Sequence, residues 1–145
     1  MIDYKRVAAR HIRANVFADI DRQLGDIAKI ASGLHANMKL VEDLVAAGER
    51  RRIGRVSDVN VGVVDFDGTR VTATVAGTTG HYDVRITVAP KRGHHCSCPD
   101  WEKNGRRVGP CKHVLALALA WKEERLTPEV ESISAKLSDI IGAPF

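Results

Sequence analysis

Apolar residues in the first third of the chain recur at steps of three and four. Ala8, Ile12, Val16, Ile20, Leu24, Ile27 and Ile30 with Ala31 fall on one face of a helix, and Asp3 stands where an N-cap belongs. Gly25 costs such a helix ~1 kcal/mol relative to alanine, or marks a break in it. Ser32-Gly33 reads as a turn. Leu34, Met38, Val41 and Leu44 with Val45 then form a second helical phase, with Gly48 placed as its C′ residue. From about Ile53 the period shortens to two. Val71, Ala73 and Val75 alternate with Arg70, Thr72 and Thr74, and Tyr82, Val84, Ile86 and Val88 alternate with polar neighbours. These are half-buried antiparallel strands. Asp67-Gly68 and Gly77-Thr78-Thr79-Gly80 supply the turns. Gly62 beside Val63 and Val64 disturbs the alternation and predicts a bulge. A fourth strand, from Arg51 to Val56, is an option. The run Val114 to Trp121 alternates large and small, but leucine and alanine favour a helix, expected from about Cys111 to Arg125. Thr127-Pro128 then reads as N-cap and first helical residue of a last helix carrying Val130, Ile133, Leu137 and Ile140 with Ile141. The expected class is α+β: an N-terminal helical hairpin, a three- to four-stranded antiparallel meander, and a cysteine-bearing knuckle leading into C-terminal helices. The expected divisions are 1–48, 49–126 and 127–145.

Between the strands and the Leu/Ala helix lies the densest chemistry. Cys96-Ser97-Cys98 is followed, after twelve intervening residues, by Cys111-Lys112-His113. Three thiols and one imidazole are the donor set of a closed tetrahedral zinc site, and thiolates favour zinc over magnesium, calcium or manganese. The chain has three cysteines and all three fall in this pattern. The alternatives are three buried reduced thiols near an exposed histidine, or a disulfide. The first gives no reason for Cys-Lys-His after Gly-Pro, and the second meets an odd count with no secretory context. His94 and His95 precede the first cysteine and are weaker candidates for the same metal. Four protein donors leave no open coordination position, so the zinc is expected to be structural.

Charge changes the picture by where it sits. The chain of 145 residues carries a formal +4 and a pI near 9.1. Lys91, Arg92, Lys103, Arg106, Arg107 and Lys112 face only Asp100 and Glu102 between Lys91 and His113, an excess equal to that of the whole chain. Arg50, Arg51, Arg52 and Arg55 form a second cluster. Concentrated positive charge suits a phosphate-binding surface, with a solvated rim as the bland alternative. The six finger cations are therefore the candidate nucleic-acid contacts, DNA or RNA, with Trp101 either stacking on a base or packing under the loop. No nucleophile–base pair, paired carboxylates or phosphate-cradling glycine loop stands out, so no enzyme activity and no small-molecule substrate are expected. The longest apolar run, Val114 to Trp121, is far short of the ~20 residues that span a bilayer. No leader is readable. A cytoplasmic protein, associated with the nucleoid or an RNA–protein particle, is expected.

The pattern C-x-C, insert, C-x-H at Cys96, Cys98, Cys111 and His113 resembles the SWIM zinc finger. Pro99, Trp101 and Ala116, three residues past the histidine, extend the likeness. With the helical N-terminus and short chain, it looks like the SWIM subunit of the Shu recombination mediator. That resemblance implies DNA repair and a protein partner, a RecA-fold recombinase paralogue, met through the N-terminal helices.

Overall fold

The structure, a computed structural model, describes residues 3–88, 93–104 and 109–142, and for residue 4 and residues 6–16 the backbone alone. Packing groups the chain into two compact units, one of Met1–His35 with Glu129–Phe145 and one of Ala36–Pro128. The α+β class is observed: a long N-terminal helix, an antiparallel sheet and C-terminal helices.

Helix α1 runs without interruption from Tyr4 to Ala47, so the expected turn at Ser32-Gly33, and with it the hairpin, is absent. The apolar spacing explains why. Ile27, Ile30 with Ala31, Leu34, Met38 and Val41 keep one phase straight through Ser32-Gly33. Gly33 does not take the positive φ a tight turn demands, and open space surrounds it. In the first unit Ile27 and Leu34 are buried, and Ile27, Ile30 and Ile140 line an open groove of about 320 Å³.

The second unit is built around a buried helix. Gly48 ends α1, and a short helix α2, Arg50–Gly54, and a 3₁₀ turn, Val56–Asp58, follow. The optional strand at Arg51 to Val56 is therefore not formed. The Ile53 N–H donates to the Glu49 carbonyl at 3.0 Å and closes a helical turn instead, as a run of arginines without period-two alternation allows. Strands β1, Asn60–Val61, and β2, Asp65–Phe66, both pair with one edge of β3, Arg70–Ala76. Val61 faces Val75 and Asp65 faces Thr72, so Gly62, Val63 and Val64 lie opposite only Ala73 and Thr74. That extra residue is the predicted bulge. Glycine is required at its start: the Gly62 N–H donates to the Thr74 carbonyl at 2.9 Å, and a Cβ would lie 2.9 Å from that same oxygen. Beyond the bulge Val64 is buried while Val63 is exposed.

Asp67 shapes the next turn by accepting from the backbone N–H groups of Thr69 and Arg70 at 2.8 and 2.7 Å. Those two bonds, with the Thr69 hydroxyl, hold its carboxyl below the usual range. β4, His81–Thr87, pairs along all of β3, and β5, His95–Cys96, pairs with β4. Val71, Val75, Val84 and Ile86 form the inner face and are essentially inaccessible, each contributing roughly 1.5–3 kcal/mol by leaving water. Helix α4, Lys112–Trp121, lies on that face. His113 through Ala118 and Trp121 are all buried, the signature of a helix covered on every side. Its large-small alternation is thus a helical core rather than a strand.

The expected break before Thr127 does not occur. Lys122–Leu126 is a wide π turn in which the Thr127 N–H donates to the Lys122 carbonyl, and Thr127 itself is helical. Helix α5, Thr127–Ile141, continues directly. Pro128 lacks an N–H, and one widened turn lets the helix pass it without the N-cap the sequence offered. Leu126 is buried and the Arg125 guanidinium donates to the Val64 carbonyl. Among the described residues no helix is long and apolar enough to cross a membrane.

Candidate metal centre

Each cysteine is delivered by a different local device. Cys96 sits on β5, opposite Val84 of β4. The Ser97 N–H donates to the Asp83 carbonyl at 3.1 Å and the Asp83 N–H donates to Ser97 Oγ at 3.0 Å, so the tight Cys-x-Cys bend is stitched to the sheet. Cys98 opens helix α3, Pro99–Asn104. Its sulfur accepts the Trp101 N–H at 3.3 Å and its carbonyl accepts the Glu102 N–H. Cys111 is the N-cap of α4, with extended backbone and its carbonyl accepting from Leu115. His113 lies in the first turn of the same helix.

These four side chains converge. Their ligand atoms all lie within 4.8 Å of one another, against about 3.8 Å between sulfurs on an ideal zinc tetrahedron. The cysteines are each 1% exposed and His113 is 4% exposed, so the group is closed to solvent. Nδ1 of His113 lies 3.9 Å from Cys111 Sγ. Its Nε2 is buried without a partner among the described residues, and a Cβ on Gly77 would stand 2.9 Å from it. Nδ1 is thus the nitrogen that meets the sulfurs. The ring stacks at a tilt against Tyr82, centroids 4.8 Å apart.

Cys98 is pushed well below the usual thiol range, first by hydrogen bonds from Cys111 and Cys96, with His113 and the Trp101 N–H adding to them. Cys96 is pushed well above it by its bonds to Cys111 and Cys98 and by burial. A dry cluster of three thiols that cannot all ionise unaided is one a divalent cation completes. The donor set, its burial and its spacing fit one zinc ion.

The second layer of the site was not foreseen. Arg52, read from sequence as one of four clustered cations, is consumed inside the protein. Its guanidinium donates to Asp100 Oδ1 at 2.7 Å and to the Gly109 carbonyl at 3.0 Å. It thereby ties α2 both to the helix after Cys98 and to the segment before Cys111. Gly109 has φ +108, and a Cβ there would lie 2.5 Å from the Ala47 carbonyl, so the end of α1 abuts the approach to the third ligand. Nothing in the spacing of Arg52 from the finger signals this. His94 is excluded as a ligand by a different bond, its Nδ1 accepting the Thr87 N–H at 3.1 Å; burial also lowers its pKa. His95 is exposed on β5.

Of the six candidate nucleic-acid contacts, Lys103 is exposed on α3 and Lys112 is half-buried at the start of α4. Lys91, Arg92, Arg106 and Arg107 lie outside the described residues. Trp101 is half-buried. Ala116 is buried within α4.

Comparison with known families agrees with this geometry. Residues 84–122 match the SWIM zinc finger, from the middle of β4 to the turn after α4. No curated protein and no solved structure matches the chain significantly.

Proposed function

We propose that this protein is a non-catalytic SWIM-type zinc module that binds nucleic acid through the phosphate backbone. The observation that carries the reading is a buried Cys₃His group set in a stretch that holds the whole net charge of the chain. Zinc held by Cys96, Cys98, Cys111 and His113 joins β5, α3 and the start of α4 at one point. Its chemistry there is to lock three elements that otherwise share few contacts, and four protein donors leave it no position for a substrate. Lys103 and Lys112, with Lys91, Arg92, Arg106 and Arg107, then present charge from a braced frame. Cations of this kind contact phosphate rather than bases, because amide readers are scarce: Asn104 is the one such side chain between the ligands.

Salt titration tests the reading. Affinity for duplex DNA should fall on a log–log plot with a slope of roughly −0.9 per neutralised phosphate and vary little with sequence. The combined Arg106→Gln, Arg107→Gln variant should flatten that slope while zinc content stays at one equivalent. Identical slopes in wild type and variant sink the basic-loop assignment.

A second reading has its own observation. Phe17 and Leu24, seven residues apart and so on one face of α1, are 64% and 37% exposed. An exposed aromatic and leucine on a long helix suit a protein partner. A Shu-like subunit that binds a RecA-fold recombinase paralogue in DNA repair is that reading's most specific form. Loss of a co-purifying protein from the Phe17→Ser, Leu24→Ser variant, with nucleic-acid affinity intact, would favour it.

A further inference from the structure

Beside the metal centre, within the second unit, lies a cavity of about 520 Å³. Its wall includes Cys98 and His113, and the charged residues Glu49, Asp100, Arg51, Arg52, Arg55 and Lys112. The acids there are already engaged. Asp100 accepts from Arg52 at 2.7 Å and from Asn104 at 3.1 Å, and Glu49 lies 3.9 Å from the Arg52 Nε. Arg52 offsets one of these two carboxylates, and Arg51, Arg55 and Lys112 stand against the other. Among the described residues Arg51 and Lys112 have no ion pair, and Arg55 has one at 3.7 Å to Asp58, which does not line the cavity. Four basic and two acidic side chains line the cavity, and with about one negative charge from a zinc ion on three thiolates the balance stays positive, at about +1.

Neutral donors complete the wall. Thr79 Oγ1 and Tyr82 Oη lie 2.6 Å apart. A pair of hydroxyls uses one proton between them, so the other remains to donate. The Lys112 end of α4 brings the positive pole of a ten-residue helix to the same place. Two cations without an ion pair among the described residues, Arg51 and Lys112, together with Arg55, a free hydroxyl proton and a helix N-terminus around a concave space, are the recognition chemistry of a phosphate group. The volume is that of a small-ligand site rather than of one ion.

We propose that this cavity seats a phosphate group of a nucleotide, either within a nucleic-acid strand or free, held by Arg51, Arg55 and Lys112 with Thr79 or Tyr82 donating. The cavity shares Lys112 with the finger's cations, while Arg51 and Arg55 stand apart from them. Only the choice of a strand as its source rests on the nucleic-acid reading above.

The test uses the zinc-loaded full chain, titrated calorimetrically with inorganic phosphate, adenosine monophosphate and a single-stranded oligonucleotide at several salt concentrations. The variants are Arg51→Gln with Arg55→Gln, and separately Lys112→Gln. Arg51 and Arg55 are exposed, so zinc content and melting temperature should hold in the double variant. Its oligonucleotide affinity should fall at least tenfold, and its salt slope should lose about 0.7, the share of one phosphate on a single strand. Binding of the oligonucleotide but not the small phosphates makes a strand the source; binding of adenosine monophosphate, lost in the variant, makes it a free nucleotide. If the wild type binds the oligonucleotide and the double variant matches it in affinity and slope, the cavity assignment is overturned while the nucleic-acid reading stands. If small phosphates bind and neither the oligonucleotide nor the duplex of the salt titration does, the cavity stands and that reading falls. If none of the three binds, the cavity assignment is overturned, and the duplex titration above decides the nucleic-acid reading by itself.

Discussion

Gly109→Ala should do more damage than its single methyl suggests, because two independent costs meet at one atom. The backbone there has φ +108, a conformation L-residues rarely adopt, and holding alanine in it costs about 1–3 kcal/mol. The new Cβ would stand 2.5 Å from the Ala47 carbonyl oxygen, well inside the 3.4–4 Å of ordinary contact. The obstacle is backbone, so relief requires moving the end of α1 or the approach to Cys111. Overpacking of that kind costs about 1–3 kcal/mol more. A total near 3 kcal/mol predicts a melting temperature lower by about 12 °C or more for a unit of this size. Because the strained segment delivers the third thiolate and holds the carbonyl that Arg52 grips, zinc affinity should fall by up to about a hundredfold. Thermal unfolding with saturating zinc, followed by chelator competition, measures the two effects separately. An alanine variant that melts within about 2 °C of wild type and keeps its zinc affinity would refute the argument.

Other outcomes follow from single positions. Gly33→Ala should stabilise the helical content by about 0.5–1 kcal/mol, since the glycine lies within a continuous helix with open space around it; destabilisation on chemical denaturation would restore the turn. Cys111→Ser should lower zinc content well below one equivalent by elemental analysis, while His94→Ala should leave it unchanged because that imidazole is occupied by the Thr87 N–H. Arg52→Ala should cost about 1–2 kcal/mol in denaturant unfolding, discounted for the 41% exposure of Asp100. Arg52→Lys should not recover it, because one ammonium cannot reproduce the planar fork that reaches both Asp100 and Gly109.

The metal group was legible because its signal is chemical and local. Cysteine is scarce here, and three thiols with a histidine in two short clusters admit few explanations. The sheet was legible because period-two alternation in β3 and β4 translates directly into buried Val71, Val75, Val84 and Ile86. Even the bulge at Gly62 showed as a broken alternation. The helices were less so, for a consistent reason. Ser32-Gly33 and Thr127-Pro128 are residue types that permit a boundary without requiring one. At the first, an unbroken apolar phase overrode the turn signal; at the second, one π turn absorbed the proline. Local propensity of about 1 kcal/mol yields to tertiary packing worth several.

Charge was legible only in aggregate. Arg50, Arg51, Arg52 and Arg55 are indistinguishable in sequence, yet the structure gives two of them opposite fates. Arg52 is 11% exposed and bound on both sides of the metal centre, while Arg51 is exposed and has no ion pair among the described residues. The separation follows from helical geometry, since adjacent residues on α2 point about 100° apart, and one of them must face the finger. Its neighbour also lines the cavity, with no ion pair among the described residues. A structural arginine in this position thus fixes where the free ones stand, and the Arg52→Lys variant measures that link. It should weaken phosphate binding through Arg51 and Arg55 even though neither has changed. If phosphate affinity stays at the wild-type value while the unfolding midpoint drops, Arg52 braces the fold alone and the cations of the cavity are positioned independently of it.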